Sequence, residues 1–154
     1  IALDELRQLT QLRVHVEVEG LRRAVRAGSA PWRARVRSTY EELSALEQPL
    51  LPQNARAWEA ANARFHEALV TAEPARWTLL VVRQLAQPSE RYRRFAIRLM
   101  DRRRDVHAEH AAIFEAAIAG NELRAALALE HHISATAEVI ALALADSGKL
   151  DDGN

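Results

Sequence analysis

The sequence predicts an all-α fold, an antiparallel bundle of six to seven helices, and three observations carry that prediction. Ala and Leu, both strong helix formers, dominate the composition, while aromatic residues make up only 5% and β-branched residues are sparse. Apolar residues recur at spacings of three and four along nearly the whole chain. The segments marked in this way are separated by short breaks, and short connections make antiparallel neighbours.

The periodicity predicts helices near 4–27, 32–47, 54–72, 75–87, 88–101, 103–119 and 121–146. The breaks are Gly28-Ser29-Ala30-Pro31, Gln48-Pro49-Leu50-Leu51-Pro52, Glu73-Pro74, Gln87-Pro88 and Gly120-Asn121. Pro31, Pro74 and Pro88 stand where a first helical turn tolerates proline, and Pro88 equally allows one kinked helix in place of two. Asp4, Asn54 and Asn121 are N-cap candidates, the last of them after a Gly120 stop. The expected organisation is a single domain over 1–154. Residues 1–9 end a linker and start the first helix, and 147–154 form a polar, frayed tail. A start at Ile1 rather than Met suggests a piece of something longer.

Charge and composition exclude several classes. The 21 basic residues balance the 21 acidic ones, which argues against direct nucleic-acid binding. The longest apolar runs, such as Trp77 to Val82, fall far short of the ~20 residues a membrane span needs. No signal-peptide pattern opens the chain, so a cytoplasmic location without membrane attachment is expected. The sequence has no cysteine, which removes disulfides and thiolate metal sites but leaves His, Asp, Glu and Asn sites open.

Polar residues on apolar stripes carry the functional signal. In the first helix the stripe runs through Leu6, Leu9, Leu12, Val16 and Gly20, and Arg13 falls inside it. A buried guanidinium needs an acidic partner or an anionic ligand. Glu17, one turn on, would serve as partner, so an ion pair and an anion site both stay open. The third helix places Trp58, Ala61, Phe65 and Leu69 on one face, with Asn62 and His66 side by side along its edge. His110 is central to a stripe of Val106, Ile113, Phe114 and Ala117. His132 is central to another, of Ala125, Ala128, Leu129, Thr136 and Val139, while His131 points toward solvent.

Each inward histidine alone fits a core residue bonded to a backbone carbonyl. Three on separate helices, with an amide oxygen beside one, suit a divalent ion instead, although periodicity does not bring the stripes together. Arg91 shares a face with Phe95 and Leu99, as an anion contact or as a solvated member of the Arg-rich stretch 91–104. The run Arg102-Arg103-Arg104 is offset by Asp101 and Asp105, and reads as a solvated helix end or a dimer rim.

Several pieces, taken together and in order, resemble the effector domain of GntR-type transcriptional regulators, the FadR C-terminal (FCD) class. They are Leu12-Arg13 with Glu17, Asn62-Ala63-Arg64-Phe65-His66, Arg91-Tyr92-Arg93-Arg94, Glu109-His110-Ala111-Ala112-Ile113 with Ala116-Ala117-Ile118, Gly120-Asn121, Ala125, Leu129 and His132-Ile133. The likeness covers roughly residues 4 to 145.

The resemblance implies an antiparallel bundle of six or seven helices holding a divalent metal ion, zinc first and nickel or manganese next. Its ligands would be Asn62, His66, His110 and His132. Asn62 stands where many relatives have Asp, and as a neutral donor it should weaken the site. The resemblance further implies a small carboxylate or sugar-acid effector beside the ion, with Arg13 and Arg91 as contacts, and a homodimer. DNA would be reached only through a winged helix-turn-helix that this chain lacks. The expected function is therefore effector sensing, not catalysis. The rival is a metal-dependent hydrolase or lyase on a helical bundle. Against it, Glu67 and Glu109 adjoin ligands in sequence but point off their faces, so neither reads as a poised base. A plain dimerisation module with packed histidines is the third reading.

Overall fold

Side-chain caps set the starts of three helices. Ser29 Oγ accepts from the Trp32 amide at 3.3 Å, Asp105 Oδ1 from Ala108 at 2.9 Å and Asn121 Oδ1 from Arg124 at 3.1 Å. A computed structural model describes residues 3–72, 75–97 and 104–151, with the side chains of 91–97 and 146–151 outside that description. The described residues form α1 (Leu3–Ala27), α2 (Ala30–Leu46), a 3₁₀ turn (Pro52–Asn54), α3 (Ala55–Val70), α4 (Arg76–Ile97), α5 (Val106–Ile118) and α6 (Glu122–Asp151). The result is an all-α antiparallel bundle.

Where local chemistry competes, the boundaries move. Pro88 lies inside α4, so the two helices predicted at 75–87 and 88–101 are one. An interior proline forfeits a main-chain hydrogen bond, and here the helix continues past it. Of the three expected caps only Asn121 bonds as one. Asp4 sits in the first turn of α1, and Asn54 precedes α3 without a side-chain bond. The α6 helix runs on to Asp151, past the predicted end at 146.

The inward face of α1 also differs from the predicted stripe. Leu12 is 53% exposed, and the buried residues are Leu6, Arg13, Glu17, Leu21, Ala24 and Val25. The true face is rotated because it carries a charged pair in its middle. At Gly20 α1 approaches α3 closely: an added Cβ would sit 3.0 Å from Val70 Cβ and 3.2 Å from the Val70 carbonyl oxygen.

The core is continuous and apolar at one level of the bundle. Leu21, Trp32, Val36, Leu43, Phe65, Leu69, Ile113 and Leu129 are fully buried there. Trp32 Nε1 donates to the Ala68 carbonyl at 2.9 Å, which satisfies the polar end of an otherwise apolar side chain. Tyr40 stacks on Phe114, bringing α2 against α5. By length and composition, Glu122–Ala145 of α6 is apolar enough to cross a membrane. In this fold the same helix packs against α1, α4 and α5, and buries Ala125, Leu129, His132, Ile133 and Ile140. Next to the apolar core, at the level of Phe65 and His110, the interior turns polar.

Candidate metal centre

The polar level of the bundle is built by α3, α5 and α6, each of which turns one imidazole inward. His66, His110 and His132 are buried, and His110 is 0% exposed. One ring nitrogen from each lies within 4.8 Å of the others. The ring centroids are 5.7 Å apart for His66 and His110, 5.2 Å for His66 and His132, and 4.6 Å for His110 and His132. Phe65 presents an edge-on contact to both His66 and His110, so the apolar core forms one wall of the cluster.

Behind each ring stands a carboxylate. His132 Nδ1 lies 2.7 Å from Glu109, His110 Nδ1 lies 3.0 Å from Glu47, and His66 Nδ1 lies 3.5 Å from Glu17. An ionised carboxylate only accepts, so the Nδ1 atoms of His110 and His132 donate to theirs and leave Nε2 with its lone pair, whereas His66 Nδ1 lies beside Glu17 without hydrogen-bond geometry. The carboxylates are themselves held. Arg13 Nε donates to Glu17 at 2.9 Å, Arg104 forks onto Glu109, and Trp58 Nε1 donates to Glu47 at 2.9 Å. Burial alone would raise the Glu17 carboxyl, but Arg13 and then His66 outweigh it and hold it at about 2. Glu109 is likewise lowered to about 2, with His132 and Arg104 opposing its burial. Burial pushes His66 down from the ordinary imidazole value and His132 well down, in both cases against an adjacent carboxylate. Burial thus favours the neutral form of His66 and His132, the state in which imidazole ligates metal.

Several polar atoms at the cluster have no hydrogen-bond partner among the described residues. His66 Nε2, His110 Nε2 and Asn62 Oδ1 are buried without a hydrogen bond. Such atoms typically destabilise a fold by about 1–3 kcal/mol each. Asn62 is one turn before His66 on α3 and equally buried, which puts its amide oxygen on the same side. Three imidazoles, two of them with the tautomer set by a carboxylate, and a neutral oxygen make a donor set that fits a divalent ion.

This arrangement sits within a recognisable sequence family: the family model of the FCD domain matches residues 8–135. The chain belongs to the FCD-domain family. The uncharacterized HTH-type transcriptional regulator BphR of Paraburkholderia xenovorans (strain LB400) is 36% identical over 143 residues, 91% of this chain and 58% of that protein. The chain thus spans somewhat more than half of that relative's length. A transcriptional regulator (GntR family member) from Pseudomonas syringae pv. tomato str. DC3000, known from a crystal structure, matches with a TM-score of 0.80 at 18% identity. That match covers 98% of this chain and 61% of the other. At that identity the likeness establishes a shared fold.

On one side of its histidine cluster the FCD domain opens into a cavity of about 560 Å³ between α1, α3 and α4. Arg13, Arg56, Asn62, His66, Arg83 and Gln87 are among the residues lining it. Arg13 is buried and paired with Glu17, as the ion-pair reading of the sequence has it, and it also faces this cavity. Arg83 is tied to Glu67 at 2.8 Å. Arg91 follows the cavity-lining Glu90 on α4, but its side chain lies outside the described residues.

Two sequence expectations change. Arg104 is not a solvated helix end: its side chain is 14% exposed and locked onto Glu109, while Arg102 and Arg103 lie outside the described residues. Glu109 does not point away from the site, because it backs His132 across the α5–α6 contact. Glu17, Glu47 and Glu109 are the functional residues that periodicity missed as a set. The available hints were Glu109 adjoining His110 and Glu17 sharing a helix turn with Arg13.

Proposed function

We propose that this FCD domain is the effector-sensing and dimerisation domain of a GntR-type transcription regulator. In this reading it binds a divalent ion, zinc first and nickel or manganese next, through Asn62, His66, His110 and His132. One observation carries the reading: buried imidazole donors from three helices converge within 4.8 Å of one another, and among the described residues Nε2 of His66 and His110 and the Asn62 oxygen lack hydrogen-bond partners. The ion would supply a Lewis-acid position at which an acid's oxygen replaces water.

The cavity beside His66 and Asn62 is the place for a small carboxylate or sugar acid, with Arg13 on α1 and Arg91 on α4 as its contacts. Arg13 suits the role because its guanidinium, already fixed by Glu17, faces the cavity with its remaining donors. Occupancy would then shift the population between two packings of a homodimer, and so the spacing of DNA-binding domains that lie outside this chain. Coupling of this kind typically amounts to about 1–3 kcal/mol. A cytoplasmic location follows from that role.

The hydrolase or lyase alternative needs a free general base near the ion. Glu109 is committed to His132 and Arg104, and Glu67 to Arg83, which supports sensing over catalysis. The test is a thermal-shift series on the metal-loaded domain against organic acids. Saturable stabilisation that disappears on chelation, with the acid recovered unchanged, is expected; consumption of the acid would favour the enzyme. No stabilisation by any acid would remove the effector reading.

A further inference from the structure

Two of the three imidazoles are backed by the same arrangement, a glutamate held by an arginine. His66 has Glu17 and Arg13, and His132 has Glu109 and Arg104. The two arms differ in what lies behind them: Arg13 faces the cavity, whereas Arg104 is not among the cavity-lining residues. We infer that Arg104 is a positioning residue for the ion site, orienting His132 through Glu109 from the side away from the effector. This inference rests on the reading of the histidine cluster as a metal centre.

The geometry is specific. Arg104 Nε donates to Glu109 Oε2 at 2.9 Å and Nη2 to Oε1 at 2.7 Å, so both carboxylate oxygens are fixed in one plane. The same Nη2 reaches Thr136 Oγ1 at 2.7 Å and the His132 carbonyl at 3.4 Å. Thr136 Oγ1 in turn donates to the His132 carbonyl at 3.0 Å. One guanidinium therefore grips both the acceptor behind the His132 ring and the main chain that carries the ring. A carboxylate free to rotate would leave His132 able to put its proton on Nε2, and that tautomer offers the ion no lone pair. Lysine would keep the charge but lose the planar fork and the second anchor on α6.

The experiment has two readouts. Long-range proton–nitrogen NMR of the ion-free domain reports the His132 tautomer, and a competition titration with zinc and a chromogenic chelator reports affinity. The wild-type domain should hold the proton on Nδ1. Arg104→Gln should give a mixed tautomer and bind zinc roughly 10–100-fold more weakly, as loss of an outer-shell partner does. Arg104→Lys should fall between the two. It also provides the same tautomer readout if the Gln variant does not fold. Arg33→Gln, at an exposed site on α2, should match wild type in both measurements. An Arg104 variant with His132 still protonated at Nδ1 and zinc affinity within about twofold of wild type would overturn the inference. If the wild-type domain binds no zinc at all, the metal reading fails, while the tautomer comparison still decides the role of Arg104.

Discussion

The helix α3 serves two interiors that obey different rules. Phe65 and Leu69 join an apolar core whose few polar groups, such as Trp32 Nε1, find partners within the protein. Asn62 and His66, on the same helix, enter a polar level where every ring has a carboxylate beside it and where Nε2 of His66 and His110 and the Asn62 oxygen are unpaired. The apolar half is complete as it stands. If the polar half holds the proposed ion, the two should respond to opposite perturbations: truncation for the core, chelation and acid for the cluster.

The largest effect should come from the apolar side. Phe65→Ala removes a fully buried ring and should lower unfolding free energy by about 3–5 kcal/mol in urea titrations, with or without metal. Because Phe65 also walls the cluster, its zinc affinity should fall as well. A Phe65→Ala variant of wild-type stability would mean that the core is not where the fold is held.

Next comes the ion. At a free zinc concentration a thousandfold above the dissociation constant, binding to the native state should add about 4 kcal/mol of stability. Chelator should abolish that increment in wild type, and His110→Ala should lack it from the outset. In chelator His110→Ala still loses a fully buried ring and the Glu47 contact, offset only by removal of an unpaired Nε2, so the zinc-dependent increment and not the absolute stability is the readout.

Acid should act on the polar level before it touches the core. Burial lowers the folded-state pKa of His66 and His132, so the unfolded chain binds protons more readily and the ion-free domain loses stability as pH falls below ~6.5. Glu17 and Glu109, held at about 2 against 4.5, add stability that is present above pH 4.5 and lost as pH falls from there toward 2. Thermal midpoints should therefore be level above pH 7, slope downward below 6.5 and steepen below 4.5. A midpoint that rises on acidification would contradict the neutral-imidazole picture. The smallest effect belongs to the exposed Arg64–Glu42 pair, where Glu42→Gln should leave the thermal midpoint unchanged within error.

Much of this contrast was legible in the amino-acid order, because helical periodicity reports which side chains point inward. It placed His110 and His132 at the centre of interior faces and Asn62 and His66 along the edge of one, and all four are buried. It failed on α1 for the same physical reason it succeeded elsewhere. Periodicity looks for apolar residues, and here a buried ion pair, Arg13 with Glu17, occupies the middle of the inward face, so Leu12 was turned the wrong way. Convergence of the rings was not legible, since it depends on how α3, α5 and α6 pack. Nor was the role of Glu47, which lies 63 residues from the His110 ring it backs. Arg104 was misread because a run of three arginines looks solvated until tertiary structure supplies Glu109 and Thr136 as partners.

The account stands or falls on whether the cluster takes up an ion. X-ray absorption on the purified domain after zinc loading and desalting measures this directly. The expected spectrum shows nitrogen and oxygen neighbours with the multiple-scattering signature of imidazoles, at one ion per chain, and His110→Ala should abolish it. A domain that emerges folded and free of metal, with no stabilisation by zinc, nickel or manganese, would reduce the three histidines to packing residues.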